Sequence, residues 1–383
     1  MENIELYKSS IPAQYGGRVS SVLNVDSKDG DMQTWKGSAG IGLLTSRLHV
    51  EGPLAKGKTS VIAGARTTYS DWILKRLPPE SAYSRGTAGF TYANLGITHR
   101  FDENNSLHAH GYYARDRFSF GGDTTFRYGN INASLVWKHR TEQGRLEISG
   151  GYDQYSSRIS AHEWSFGAYD LDTYIRQAFL RSDRRRTLTD AHELSWGVHL
   201  TGYMLDPGTM NPFGAESGVQ ARRLDRELAL EPAVYASDTW KPSDEISLES
   251  GVRLSGFYAR KGSKFYGMPD FRLAFKYSPE ENLSFKAGLN SLSQYIHLIS
   301  NTSAVSPMDT WKLSDDRIKL TWGWQTAAGA YWTELNTGID FSLEAYYKNT
   351  YRALDYLPGA TLTMNPNLAD ELVPVRGRSY GWN

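Results

Sequence analysis

Apolar and polar residues alternate with a period of two along most of the chain, from about residue 36 to its end. The clearest case is residues 339–348, where Ile, Phe, Leu, Ala and Tyr occupy the odd positions and mostly polar residues the even ones. Residues 246–255 and 283–290 repeat the pattern. Successive side chains of a β-strand point to opposite faces, so this alternation predicts strands with one apolar and one polar face.

The predicted connections alternate between short and long. Short polar turns are predicted at 53–58, 102–105, 141–144, 182–186, 241–245, 278–282 and 334–338. Longer segments rich in Gly, Pro and aromatic residues are predicted at 73–87, 120–128, 160–168, 204–225, 260–267, 299–319 and 356–376. Every second connection of an antiparallel meander emerges on the same side. The pattern is therefore typical of a bacterial outer-membrane barrel, which has short periplasmic turns and long external loops.

The pattern predicts roughly 15 strands, with a further one beginning at Gly377. Many exceed 12 residues, whereas strands of globular sheets average five or six, and such lengths can cross a hydrocarbon core at a tilt. Aromatic residues near strand ends, such as Trp137 and Trp240, would form interfacial girdles. We predict an all-β, antiparallel transmembrane barrel. A soluble β-sandwich, β-helix or propeller is the alternative, because antiparallel sheets that face water on one side alternate as well.

Composition agrees with this interpretation. The chain has 383 residues, 42 basic against 42 acidic residues and no cysteine, and a mean hydropathy of -0.51. That value is low for a membrane protein, but a closed barrel leaves half of its side chains facing a wet lumen. The chain contains no apolar stretch long enough for a transmembrane helix. The absence of cysteine excludes disulfides and thiolate sites, and the balanced charge disfavours nucleic-acid binding.

The motifs for chemistry are weak. His108 and His110 share one strand face, but two ligands do not make a zinc site, so we predict no metal and no cofactor. The chain has no Walker loop and no Gly-x-Ser-x-Gly elbow, and we predict that it is not an enzyme. The cluster Arg184 to Arg186 is predicted to lie in a turn. Exposed aromatic residues suit ligand stacking or loop packing, and the candidate ligand contacts on the long-loop side are Trp164, Phe166, Tyr169, Phe213 and Trp311.

Residues 1–35 do not follow the barrel pattern. The pair Gly16-Gly17 allows the backbone to turn or to approach another surface closely. A short apolar strand follows at residues 22–25. Arg18, between the glycine pair and that strand, is a candidate for a buried ion pair.

Residues 5–8 and 11–25 resemble the end of the plug domain of TonB-dependent outer-membrane receptors, especially the group with a carboxypeptidase-regulatory-like amino-terminal domain. Residues 37–54 resemble the first barrel hairpin of that family. The resemblance implies that residues 1–35 are the end of a plug and residues 36–383 an incomplete barrel. The implied plug residues are Tyr15, Gly16, Gly17 and Arg18. In this interpretation Arg18 pairs with an inward-facing barrel carboxylate, with Glu147, Glu231, Glu249 and Glu344 as the candidates.

The resemblance also carries functional expectations. Plugged transporters have 22 strands, and the pattern supplies about 15 to 16, so we expect an internal fragment of a longer receptor. Such receptors use energy relayed by TonB to import a scarce nutrient, here a siderophore, cobalamin, oligosaccharide or peptide. The expected partners are the TonB complex, through regions missing from this chain, the nutrient ligand and outer-membrane lipid, with a surface lipoprotein as a further candidate. A passive porin-like channel and a soluble β-rich adhesin or scaffold are the alternatives.

Overall fold

The computed structural model describes residues 3–81, 83–120, 124–162, 165–300 and 309–383. These residues form 21 strands and two four-residue α-helices. The first strands are β1 Asn3–Tyr7, β2 Val22–Asp26, β3 Lys36–Ile41, β4 Thr45–Ala55, β5 Thr59–Thr68, β6 Thr87–Arg100, β7 Asn105–Phe120, β8 Thr124–Thr141, β9 Gly144–Ala161 and β10 Tyr169–Thr189. The others are β11 His192–Pro212, β12 Arg222–Arg223, β13 Glu227–Trp240, β14 Ile246–Ala259, β15 Lys264–Glu280, β16 Leu283–Gln294, β17 Ile296–Ser300, β18 Asp309–Leu313, β19 Thr321–Glu334, β20 Ile339–Tyr356 and β21 Leu372–Trp382. The helices are α1 Asp71–Leu74 and α2 Leu368–Glu371.

Seventeen strands form one curved antiparallel sheet, in which the two-residue β12 is only an appendage of β11. The other sixteen follow chain order, from β3 through β11, then β13 to β16 and β19 to β21. In the described part of the chain β3 pairs only with β4, and β21 only with β20. The sheet is therefore a barrel wall that is open between β3 and β21. No described helix has the length and apolar character needed to cross a membrane.

The all-β fold and the strand number predicted from the alternation are confirmed. The additional strand expected from Gly377 is β21, which begins five residues earlier, at Leu372. Two of the predicted long connections are shorter than expected, because β8 already begins at Thr124 and β15 at Lys264.

The turn predicted at residues 182–186 is wrong. Strand β10 runs through these residues to Thr189, and the turn follows at residues 190–191. Three consecutive arginines looked like a solvated turn, but in a strand they alternate between the two faces. Their main chain is fully paired, since Arg184 lies opposite Leu146 on β9 and Trp196 on β11.

The two faces of the wall differ as the alternation predicts. On β13 the buried Glu231 and Tyr235 share the inner face, whereas the exposed Leu230 and Val234 lie on the outer face. Exposed apolar side chains continue around the outer face on neighbouring strands: Leu135, Leu180, Leu200, Leu254, Leu273, Phe275, Leu289 and Leu343. A sheet with an apolar outer face and a polar inner face suits a lipid exterior and a wet lumen.

A hairpin of β17 and β18 folds back onto the inner face of the wall. It belongs to a buried cluster with members from β11, β14 and the hairpin: Tyr203, Leu205, Phe257, Ala259, Tyr295, Ile296, Leu313 and Leu320. Beside this cluster the buried Lys312 Nζ lies 2.7 Å from Glu227 Oε1 and 2.6 Å from Asp315 Oδ2. Glu227 also accepts a hydrogen bond from the Leu313 amide at 3.0 Å. The long connection between β16 and β19 is thus anchored inside the wall.

We predict that Lys312→Met weakens this anchor. Removing the cation leaves two buried carboxylates without their partner, and breaking a buried ion pair costs about 3–5 kcal/mol. Hydrogen exchange of the amides in the β17–β18 ladder should become at least about 100-fold faster, since 1.4 kcal/mol corresponds to a factor of ten. The matched control is Lys319→Met, the same change at an exposed residue of the same connection. Equal exchange in the two variants would contradict the anchor.

Candidate functional site

The candidate site is the place where the amino-terminal segment, residues 8–19, lies against the inner face of the wall. The strands on either side of it, β1 and β2, pair with each other as a small separate hairpin. Within the segment the Tyr15 amide donates to the Pro12 carbonyl at 3.0 Å, which closes a tight turn. Ile11 and Ala13 are buried, at 2% and 0% exposure. Burial also raises the pKa of the Tyr15 phenol.

Side chains from five wall strands bond the main chain of this segment. Arg253 Nη1 on β14 donates to the Gln14 carbonyl at 3.0 Å, and Arg272 Nη2 on β15 donates to the Tyr15 carbonyl at 3.3 Å. The remaining contacts are Gln325 Nε2 to the Lys8 carbonyl at 3.0 Å, Asn290 Nδ2 to the Ser9 carbonyl, the Val19 amide to Gln294 Oε1 at 3.1 Å, and Lys348 Nζ to the Val19 carbonyl. The wall therefore holds the segment mainly through its partly buried carbonyl groups, which need hydrogen-bond partners there.

The glycine pair is needed for this close approach. A Cβ at Gly16 would lie 2.3 Å from Arg253 Nε, so any side chain would displace the guanidinium. Gly17 has a φ of 76°, which favours glycine, and a Cβ there would lie 3.0 Å from Glu231 Oε1. The sequence interpretation of Gly16 and Gly17 as a point of turning and close approach matches this geometry.

Arg253 belongs to a hydrogen-bond network on the inner face of the wall. Arg253 Nε donates to Ser255 Oγ at 3.2 Å, and Arg253 Nη1 lies 3.4 Å from His199 Nδ1. The other ring nitrogen of His199 lies 2.8 Å from Asp183 Oδ1. Asp183 also accepts a hydrogen bond from Tyr235 at 2.6 Å. These contacts orient the guanidinium of Arg253, which also bonds the segment.

The ion pair expected for Arg18 is not formed. Its guanidinium donates to the Gly17 carbonyl at 2.8 Å, and in the described part of the chain it has no carboxylate within ion-pair distance. Among the candidate partners, Glu231 instead accepts a hydrogen bond from Tyr203 at 2.9 Å. The charge at this contact comes from the wall, through Arg253 and Arg272. In the sequence these two arginines occupy polar-face positions of alternating strands, β14 and β15.

Residues 27–35, which lead from β2 to the wall, make a second set of contacts. Lys28 Nζ lies 3.0 Å from Glu51 Oε1 on β4, and Asp29 accepts a hydrogen bond from Thr98 at 2.7 Å. Asp29 also lies 3.1 Å from His108 Nδ1. Burial opposes ionisation of Asp29, but the bonds from His108 and Thr98 outweigh it and lower the pKa of Asp29. The ring of His108 on β7 thus forms part of the contact between residues 27–35 and the wall.

A polar cavity of about 2000 Å³ lies beside the segment, inside the curve of the sheet. Its lining includes Glu5 and Tyr15 of the amino-terminal region, and Arg181, His199 and Tyr235 of the wall. This volume exceeds the 300–1,000 Å³ range of ordinary small-molecule pockets, so it has the size of a lumen. In the described residues no three His, Asp or Glu side chains form a group that could hold a metal ion.

The aromatic candidates on the long-loop side do not form one group. Phe166 and Phe213 lie on two loops that bond each other, because the Gly218 amide donates to the Phe166 carbonyl at 2.8 Å and the Phe213 amide to the Ala168 carbonyl at 3.0 Å. The Phe213 ring stacks on His162 with centroids 3.6 Å apart.

The other aromatic candidates lie elsewhere. Tyr169 packs against a different cluster, which contains Ile159 and Leu171, and Trp311 packs against the β17–β18 cluster. Trp164 lies outside the described residues. Ligand contact by these five residues stays a prediction.

Solved structures with the same fold are numerous. The copper transporter OprC shares 9% identity with a TM-score of 0.74, over 99% of this chain and 62% of OprC. The siderophore receptor PirA from Acinetobacter baumannii shares 11% identity with a TM-score of 0.68, over 98% of this chain and 61% of PirA. A mutant of the ferric enterobactin receptor PfeA from Pseudomonas aeruginosa shares 15% identity with a TM-score of 0.66, over 92% of this chain and 58% of PfeA.

These proteins are TonB-dependent receptors, so the chain has the fold of the barrel of a TonB-dependent outer-membrane receptor. The chain spans about 60% of the length of these structures. At such identities the likeness establishes the fold. Neither a protein-family profile nor a curated protein sequence matches the chain.

We predict that the wall arginine, and not Arg18, stabilises the segment. Arg253→Met removes the donors to Gln14 and Ala13, and hydrogen bonds from a charged group contribute about 1.5–3 kcal/mol. Urea unfolding in detergent micelles should show a loss of that order. Arg18→Met is the matched control and should change the unfolding free energy by less than about 0.5 kcal/mol, as surface substitutions usually do. A larger loss for Arg18→Met than for Arg253→Met would contradict this assignment.

Proposed function

We propose that the chain forms part of an outer-membrane receptor that imports a scarce nutrient with energy relayed through TonB. The observation that carries this proposal is the seating of residues 8–19 inside the wall by main-chain hydrogen bonds. A segment held inside a barrel obstructs the lumen, so passage of a solute requires that the segment rearrange. Coupling to an energy source would provide the free energy for that rearrangement.

The contacts suit a segment that is held firmly and yet can be released. They are mostly hydrogen bonds from polar side chains, and Gln14 and Tyr15 line the adjoining cavity, so water can replace the bonds to these two residues. A net hydrogen bond between neutral groups is worth about 1 kcal/mol in such an exchange, and one from a charged side chain about 1.5–3 kcal/mol. The buried Ile11 and Ala13 add only two small apolar contacts.

The ligand class that we propose is a metal ion or a metal chelate. This rests on the titles of the similar structures, which name copper, a siderophore and ferric enterobactin as the ligands of those proteins. The sequence alone does not distinguish this class from cobalamin, an oligosaccharide or a peptide. The aromatic side chains of Phe166 and Phe213, on bonded loops at one end of the wall, are the candidate contacts for an aromatic chelate.

A passive porin-like channel is the competing function, because the lumen is wide. It has no use for a segment that six wall side chains hold in place. The soluble adhesin or scaffold is disfavoured by the exposed apolar outer face of the wall.

A reversible crosslink separates the energised receptor from the passive channel. A Cβ at Gly288 would lie 3.6 Å from Ser10 Cβ, within the roughly 3.5–4.5 Å of a disulfide, and the chain has no cysteine of its own. We predict that cells producing the whole receptor with Ser10→Cys and Gly288→Cys lose uptake when oxidised and regain it on reduction. The probes are Cu²⁺ and iron bound to a catecholate siderophore.

Each single-cysteine variant is the control and should take up the probes as the unmodified receptor does, with or without oxidant. Uptake by the unmodified receptor should also stop when the proton gradient is collapsed. Uptake that continues in the crosslinked receptor, or without the gradient, would favour the passive channel.

A further inference from the structure

The outer face of the wall carries a row of arginines on three neighbouring strands. Arg117 on β7 lies directly opposite Arg127 on β8, and Arg127 lies directly opposite Arg158 on β9. Arg115, two residues before Arg117, adds a fourth guanidinium on the same face. These four residues are called the arginine row below.

The register places the row on the outer face. Residues 105–120 of β7 pair with β8 without a shift, so Arg115 and Arg117 share the face of Leu107 and Tyr113. The inner face of β7 is identified by His108, which contacts Asp29 of the amino-terminal segment. On β8, Arg127 likewise shares the face of the exposed Leu135.

The arginine row also lies at a defined height along the barrel axis. Arg127 and Trp137 stand ten residues apart on the same face of β8, with Gly129, Ile131, Ala133 and Leu135 between them. At about 3.3 Å per residue and a tilt of about 40°, that separation is roughly 25 Å along the barrel axis, the height of the apolar band of outer-membrane barrels. Trp137 is near the short turn at residues 142–143, so the row lies at the opposite edge of the band, on the long-loop side.

The chain itself neutralises only part of the row. Arg158 forms a two-point ion pair with Asp172, at 2.5 Å and 3.0 Å. Arg127 donates to the hydroxyl of Ser160 at 3.0 Å, and Ser160 donates in turn to Asp170. Asp170 is shared with His162 at 3.1 Å. Among the described residues Arg115 and Arg117 contact no carboxylate, which leaves four guanidiniums against two carboxylates.

Like charges directly opposite on neighbouring strands destabilise a sheet. Arg158 is paired with Asp172, but Arg117 and Arg127 lie directly opposite each other with no carboxylate of the described residues bonded to either, so this pair is unfavourable unless an anion lies over it. Guanidinium binds phosphate through two parallel hydrogen bonds, and the position at the edge of the apolar band is where lipid head groups lie. The chemistry and the height together specify the anion as a phosphate ester carried by a lipid.

We propose that the arginine row binds the phosphate groups of the outer-leaflet glycolipid and fixes the depth of the barrel in the membrane. The proposal rests on the outer-membrane location proposed above. Each basic side chain near an anionic lipid surface contributes a factor of about five in affinity, so two of them contribute about 25-fold.

The test titrates the detergent-solubilised whole protein with lipid A that carries both phosphates and follows binding by native mass spectrometry. The double variant Arg117→Gln, Arg127→Gln should bind about 25-fold more weakly than the unchanged protein. The matched control is Arg184→Gln, Arg186→Gln, which removes the same charge from the outer face of β10. Arg184 and Arg186 lie opposite only uncharged residues of β9 and β11, so this variant should bind nearly as the unchanged protein does.

Two further arms identify the source of the phosphate. Dephosphorylated lipid A should bind the unchanged protein and the Arg117, Arg127 variant equally weakly, and inorganic phosphate should compete only at millimolar concentration. An equal loss of binding in the control variant would overturn the arginine row as a lipid site, and so would binding of dephosphorylated lipid A to the unchanged protein as tightly as phosphorylated lipid A. Either result would leave the receptor proposal intact. Tight binding of inorganic phosphate alone would assign the site to a soluble anion. A protein that stays in solution without detergent would overturn both proposals.

Discussion

The structure depends on one constraint: main-chain carbonyl groups that lie against the inner face of the wall must find hydrogen-bond donors there. The segment from residue 8 to residue 19 carries these carbonyls inside the wall, and none of its residues belongs to a strand. Wall side chains on β14, β15, β16, β19 and β20 supply the donors, among them Arg253 and Arg272. Because the contacts are made to the main chain, they require that the backbone of the segment lie close to the wall. They depend less on which side chains the segment carries. The glycine pair provides that approach.

The same constraint accounts for the polarity of the chain as a whole. A wall that must supply donors on its inner face cannot be apolar there, and the lipid requirement applies only to the outer face. Strands therefore carry buried charge next to exposed leucine, as Glu231 and Leu230 do on β13. The zero net charge and the low mean hydropathy are averages over these two faces.

The sequence predicted the fold well because alternation is local. Period-two patterns identified nearly every wall strand, and the errors occurred where a local signal was ambiguous, as at Arg184 to Arg186. The contact site was predictable only in part. Gly16 and Gly17 indicated that the backbone approaches another surface closely. The wall residues that they contact lie more than 200 positions away in the chain. No local pattern connects Arg253 to Gln14. The sequence therefore points to Arg18, the nearest cation, as the charged residue of this contact, whereas the structure has Arg253 in that place.

The most direct measurement of the central claim is native-state hydrogen exchange at the Val19 amide. This amide donates to Gln294 on β16 and belongs to no strand, so its protection reports the seating of the segment alone. The account predicts slow exchange in the unchanged protein and a large acceleration when Gln294 is replaced by Leu, while the amides of β16 stay protected. Exchange of the Val19 amide at the rate of an unstructured peptide would contradict the account.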